Sequence, residues 1–271
     1  MSNEFLHRGD APFSDEVWEK IDEAVVTAAK SQLSARRILH VDGPHGLGLK
    51  TVSLAEIGVQ EKGAGEEVKL TTSVALPLVG IQVGFSLAAR DIAAYQSTRA
   101  PLDLGPAAAA ALSCARQEDS LIFNGSKAVA VRGISSTNGT QSLKLSTWEK
   151  VGAAAEDVIK AATKLDDSGF HGPYALALSP ARYNLLFRRY PQGSATEIEH
   201  LRVLLTGGIV KAPAIPEGGL LLATGRQYAT IVLGQDILTA FLGPSLGGYD
   251  FLVRETLTPR LIEPSAFCLL K

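Results

Sequence analysis

Residues able to do chemistry are few in this chain, and their spacing does not suit it. The five histidines, His7, His40, His45, His171 and His200, include no pair at i,i+3 or i,i+4, so no helix face presents two imidazoles to a metal. Cys114 and Cys268 are too few for a disulfide scaffold or a thiolate cluster. Cys114 lies in an alanine-rich helical stretch and reads as a small buried hydrophobe. Glu118-Asp119 offers two carboxylates that could serve as general acid and base. Successive helical residues point about 100° apart, which favours capping or ion pairing instead. Arg36-Arg37 could grip a carboxylate with a guanidinium fork, or simply complement the dipole at the end of a helix.

Three short motifs fail on their own mechanics. Gly43–Thr51 looks superficially like a phosphate-binding loop, but Leu49 separates Gly48 from Lys50 and the flanks read as extended. Gly84-Phe85-Ser86-Leu87-Ala88 lacks the second glycine of a nucleophile elbow and sits in a strand pattern. Asn124-Gly125-Ser126 and Asn138-Gly139-Thr140 match the glycosylation sequon but read as turns. With no nucleophile–base pair, cofactor fingerprint or metal-ligand set, the chain is not expected to be an enzyme, and no catalytic, cofactor or metal residues are assigned.

The elements that would have to position any site are more informative. Ser14 caps a helix running to about Leu33, with Asp15 and Glu16 in its first turn. Val17, Ile21, Val25, Ala28 or Ala29, and Leu33 form an apolar stripe along it, which either packs on the core or also receives a partner peptide. Glycines at 43, 46, 48, 58, 63 and 65 punctuate two short apolar segments, 49–59 and 66–76. This is the pattern of a long two-stranded excursion that needs a neighbour to cover it. Val79, Ile81, Val83, Phe85 and Leu87 alternate along the strand 78–87.

A long helix, 106–123, carries Leu104, Ala108, Ala111, Leu112, Ala115 and Ile122 on one side and ends at Asn124-Gly125. A second helix is predicted from Ser146, with Glu149 completing a capping box, to Gly169. Tyr174–Leu178 reads as a buried strand, Ser179-Pro180 opens a third helix, and a short helix follows near 196–205. Strands are predicted at 208–212, 219–224, 228–234, 237–242, 249–257 and 260–270. The fold class is α+β, with a mainly antiparallel sheet assembled late in the chain.

The 271 residues suffice for one large domain or two intertwined ones. Hydrophobic residues make up 46%, with a mean hydropathy of +0.13, yet no run is long enough to span a membrane. Such apolar content exceeds what a monomer needs and suggests an oligomer. The formal charge of −2 argues against binding driven by nucleic-acid phosphates. The opening residues, with Glu4, His7, Arg8 and Asp10, do not form a basic-then-apolar leader, so a cytoplasmic location is expected.

These residues, in their order and spacing, resemble the encapsulins, shell proteins that share the fold of HK97-type phage major capsid proteins. The marks are Phe5-Leu6 with Ala11-Pro12, Ala35–Ile38 leading to Val41–Gly46, and Gln117–Gly125. Gly169–Tyr174, Gly234-Gln235-Asp236 and Arg254-Glu255-Thr256 complete them. The resemblance implies an N-terminal arm and interior-lining helix over 1–47, an extended loop over 48–76, a peripheral domain from 77–130 and 226–271, and an axial domain over 131–225.

It further implies an icosahedral homo-oligomer, with Arg188, Arg189, Tyr190, Pro191, Gln192, Gly193 and Ser194 in the loop lining the five-fold pore. A cargo enzyme would be recruited through its C-terminal targeting peptide, docked in an inner groove. Ile21, Val25, Ala29 and Leu33 would supply apolar contacts to that peptide, with Arg36, Asp236 and Ile237 at the border. Some members stack a flavin on a tryptophan where this chain has Arg90, so no flavin is expected.

Arg36–Leu39, Pro101–Asp103, Ala223–Arg226 and Ala240–Gly243 are similar to the iron-storing myxobacterial encapsulin. That likeness implies a ferritin-like cargo that oxidises iron and protects against oxidative stress. A shell for a dye-decolorising peroxidase and a DNA-packaging phage-like capsid protein are the alternatives. The latter would want a basic interior, which this slightly acidic chain does not suggest.

Overall fold

A computed structural model describes residues 3–62, 67–191 and 193–271. After two short 3-10 turns come helix α1 (Asp15–Gln32), a 3-10 turn at Ala35–Arg37 and strand β1 (His40–Asp42). Strands β2 (Thr51–Lys62), β3 (Glu67–Pro77) and β4 (Val79–Ala88) precede α2 (Ala89–Thr98) and α3 (Gly105–Asn124). The middle of the chain holds β5 (Gly125–Ser126), β6 (Val131–Arg132), β7 (Gln141–Leu143), α4 (Ala153–Asp167) and β8 (Tyr174–Leu178). Then follow α5 (Pro180–Leu185), α6 (Glu197–Leu204), β9 (Gly208–Lys211) and β10 (Gly219–Ala223). The chain closes with β11 (Ala229–Ser245), β12 (Gly248–Leu261) and β13 (Phe267–Leu270).

Two sheets organise the core. The first has the order β1-β11-β12-β4, with β11, β12 and β4 antiparallel and β1 parallel to β11. The second has the order β7-β13-β10-β8-β9. Side chains alternate across its faces, as a period of two requires. Ala175, Ala177, Leu220, Leu222 and Phe267 join the core that contains α1, α3 and the first sheet. Tyr174, Leu176, Leu178, Leu221, Ala223 and Cys268 join a second core beneath α4 and α6. Buried on both faces, β8 and β10 have no polar phase, which is why they read as continuous apolar runs.

The structure agrees with most predicted elements and revises several. The helix expected from Ser146 begins at Ala153. Ser146 does not cap it through Glu149; its N–H and Oγ–H both donate to Asp157 at 2.7 Å, and Trp148 Nε1–H donates to the same carboxylate at 2.9 Å. The strands predicted at 228–234 and 237–242 are one, β11, continued through bulges. The strand predicted over 260–270 is two pieces, because β12 ends at Leu261 and β13 crosses to the second sheet. The last strand therefore packs with the 131–225 segment, whereas 226–271 was expected to belong wholly to the other unit. Helix α2 was not foreseen. It buries only Ile92, too little apolar surface to show as a stripe.

The excursion is a hairpin, with β2 and β3 paired from Thr51↔Pro77 to Lys62↔Glu67. Among the described residues neither strand pairs with either of the two larger sheets. No helix among the described residues is long and apolar enough to cross a membrane.

Candidate functional site

Helix α1 was expected to offer its stripe to a guest, and the structure turns that stripe inward. Ile21, Val25, Ala29 and Leu33 are 0%, 1%, 3% and 7% exposed, and Ile237 is 8% exposed. Recurring every fourth residue, the stripe packs on α3 and β11 and is part of the main core. In the single chain these side chains pack into the core, and they fasten α1 to α3 and β11.

What α1 leaves open lies beside the stripe. Ala24, Thr27 and Ala28, with Leu104 and Ala108 at the start of α3, line a shallow cleft of about 470 Å³. Lys20 and Glu23, paired at 2.9 Å, form part of its rim. Small side chains at i, i+3 and i+4 let an extended backbone come close to the helix. That spacing of alanine and threonine, adjacent to the stripe, was the available sequence signal.

Arg36 and Asp236 do meet, at 2.7 Å, but as part of a larger cluster. Arg36 Nε and Nη2 fork onto the Glu118 carboxylate, each at 2.7 Å. Nη2 also reaches Glu255 at 3.1 Å. Burial opposes the guanidinium charge, yet Glu118 and Asp236 outweigh it and hold Arg36 firmly protonated. Asp236 is aimed by bulges in β11, where the pairs Gln235↔Thr256 and Leu238↔Arg254 leave an extra residue between them. Two residues before it glycine is favoured, because a Cβ on Gly234 would lie 2.4 Å from Thr256 Oγ1 and 2.9 Å from Leu78 Cδ2.

Asp119 beside Glu118 accepts from Ser34 N–H, Ser34 Oγ–H and Ala35 N–H at 2.6–3.2 Å, so the pair serves as cap and ion-pair partner. Cys114 Sγ–H donates to Glu255 at 3.4 Å, and burial pushes its thiol far up, which leaves it inert as a nucleophile. The sequence reading passed over Glu255 as a site residue. Its signal was a glutamate in the inward phase of β12, between Val253 and Leu257.

The loop expected at the pore sits at the end of the α4–α6 unit. Arg188 is held by Leu185 O, by Glu149 O and by the buried Glu197 at 3.3 Å. Glu197 also accepts from Gly152 N–H, so the loop root is tied to the start of α4. Tyr190 N–H donates to Ala195 O, and its ring stacks on His200 at 4.6 Å. Arg189, Pro191, Gly193 and Ser194 are exposed, and Gln192 lies outside the described residues. Arg90 is an exposed residue in the first turn of α2.

A spine helix crossing a long-stranded sheet, an outlying hairpin and a second layered unit make up the HK97-type capsid fold. A virus-like particle from Pyrococcus furiosus superposes with a TM-score of 0.73 over 94% of this chain and all of that one, at 24% identity. The capsid of Myoviridae phage XM1 superposes at 0.61 over 87% of this chain and 90% of that one, at 12% identity. The class is thus a capsid-fold protein. The family is narrower. The model for "Encapsulating protein for peroxidase" matches residues 3–258. The type 1 encapsulin shell protein EncA of Myxococcus xanthus is 34% identical, covering 99% of this chain and 96% of its own. A diheme-cytochrome–encapsulin shell fusion protein of Kuenenia stuttgartiensis is 31% identical over 94% of this chain and 73% of its own. The chain belongs to the encapsulin family of shell proteins.

Proposed function

We propose that this chain is the wall subunit of a closed icosahedral compartment that encloses a guest enzyme and performs no catalysis itself. The observation that carries the reading is the β2–β3 hairpin, which pairs only with itself among the described residues, in a chain that matches shell proteins nearly end to end. A two-stranded ribbon is marginal alone, and a neighbouring copy would cover it. Size-exclusion chromatography and negative-stain microscopy are expected to show hollow particles. Elution only as a monomer or small oligomer overturns the reading.

The guest would dock through an extended peptide in the cleft beside α1, where Ala24, Thr27 and Ala28 admit a backbone. Thr27→Arg is expected to leave particles intact and strip them of guest, because Thr27 is exposed and an arginine there fills the cleft. Unchanged guest content moves the docking site elsewhere. Likeness to the iron-storing myxobacterial encapsulin supports a ferritin-like, iron-oxidising guest. The family description favours a peroxidase as the second reading. Mass spectrometry of the co-purified guest separates the two.

The exposed tip residues Arg189, Pro191, Gly193 and Ser194 would ring the five-fold opening and pass small ions. Substituting Arg189 with glutamate is then expected to change ion entry; an unchanged rate of entry would remove the loop from the pore. With Arg90 in place of a tryptophan, particles incubated with flavin should remain colourless, and a bound yellow chromophore would show otherwise.

A further inference from the structure

Where α1 ends, four elements converge on one cation. Arg36 comes from the 3-10 turn after α1, Glu118 from α3, Asp236 from β11 and Glu255 from β12. Glu118 and Glu255 are fully buried, while the Asp236 side chain is half exposed. The guanidinium is not shared evenly. Glu118 receives the bidentate fork and Asp236 receives Nη1. Glu255 is left the longer contact to the same Nη2 that Glu118 already holds, plus the weak Cys114 thiol donor. Two carboxylates on one nitrogen in a dry interior cannot both stay ionised without a large desolvation cost.

Among the described residues no other cation faces them. Asp119 on α3 is engaged by Ser34 and Ala35, and Arg37 is exposed. Arg254 lies in the opposite phase of β12 and donates to Phe5 O, and the β4 residue opposite Glu255 is Ile81.

We infer that Glu255 retains a proton and donates it in a hydrogen bond to Glu118, so that the Arg36 cluster is a proton latch fastening the end of α1 to α3 and the β11–β12 pair and loosening in alkaline solution. Burial raises the Glu255 carboxyl well above its ordinary 4.5, and the neighbouring Glu118 charge raises it further against the pull of Arg36. The folded chain therefore holds a proton that the unfolded chain releases. Stability from the latch is complete below the ordinary carboxyl value and drains away as pH rises through the elevated one. On opening, the proton passes to solvent, and a second buried negative charge pushes the strand and helix apart.

Hydrogen-exchange mass spectrometry of the peptide spanning Ser31–Leu39 tests this, with wild type and Glu255→Gln compared at each pH from neutral upward. Glutamine keeps the donor to Glu118 and the acceptor for Arg36 but has no proton to lose. Wild type is expected to expose this segment with an alkaline midpoint, and the variant to shift that midpoint upward or abolish it. An unchanged opening curve overturns the latch. Infrared spectroscopy of wild type gives the second readout, which does not depend on the variant folding. A protonated-carboxyl band at neutral pH that disappears over the alkaline transition is expected, and its absence at neutral pH overturns the inference. Absence of particles counts against the shell reading alone, since both readouts apply to any folded form.

Discussion

At the residue scale, charged groups in this chain are used to hold elements together, and each can be read from its donors. Asp157 is a clear case. Burial would raise its carboxyl, but the Ser146 N–H, the Ser146 hydroxyl and the Trp148 indole outweigh it and hold the carboxyl below its ordinary value. Its contribution is thus present above the ordinary carboxyl value and lost as pH falls through the depressed one. Asp157→Ala is expected to destabilise the α4–α6 unit by about 2 kcal/mol at neutral pH, since the buried Trp148 indole loses its acceptor and the two part-buried Ser146 donors lose theirs. Denaturant unfolding at neutral and acid pH checks this, with the gap to wild type narrowing in acid. Val25 makes the complementary point. Val25→Asp places an unpaired charge at a site 1% exposed and should cost more than about 4 kcal/mol, enough to prevent assembly. Intact but guest-free particles from that variant would mean that the stripe faces a guest after all.

At the element scale, the decisive contrast is between α1 and the β2–β3 hairpin. One buries a stripe on its own chain, and the other, among the described residues, pairs with neither of the larger sheets. Replacing Thr51–Pro77 by a short glycine–serine linker should preserve both larger sheets and both cores while abolishing particles. Circular dichroism and size-exclusion chromatography report the two outcomes separately, and particles that survive would show that the hairpin is dispensable. The stripe, the spine helix and the alternation in β4 were legible because amphipathic periodicity survives in any one sequence. Helix α2 was not, since its single buried contact leaves no period. The start of α4 was also misplaced. Ser146 and Glu149 satisfy the local capping rule, but Asp157, more than two turns away, captures the serine first. A capping pattern reports only what nearby residues could do, whereas the partner that wins is chosen in three dimensions.

At the scale of the whole molecule, two cores share one sheet, so the units expected at 131–225 and 226–271 are interleaved through β13. Arg36, Glu118, Asp236 and Glu255 come from distant parts of the chain, and only Arg36 and Asp236 were singled out together in advance. The sequence by itself determined that the chain is α+β, that it carries a hairpin and a spine helix, and which family it resembles. Each of these follows from composition, from short-range periodicity, or from the order of motifs. Only the tertiary structure decided how deeply the α1 stripe is buried, that a cleft lies beside it, and that one arginine must serve three carboxylates. Burial and charge pairing depend on which distant segments meet, and no local pattern encodes that.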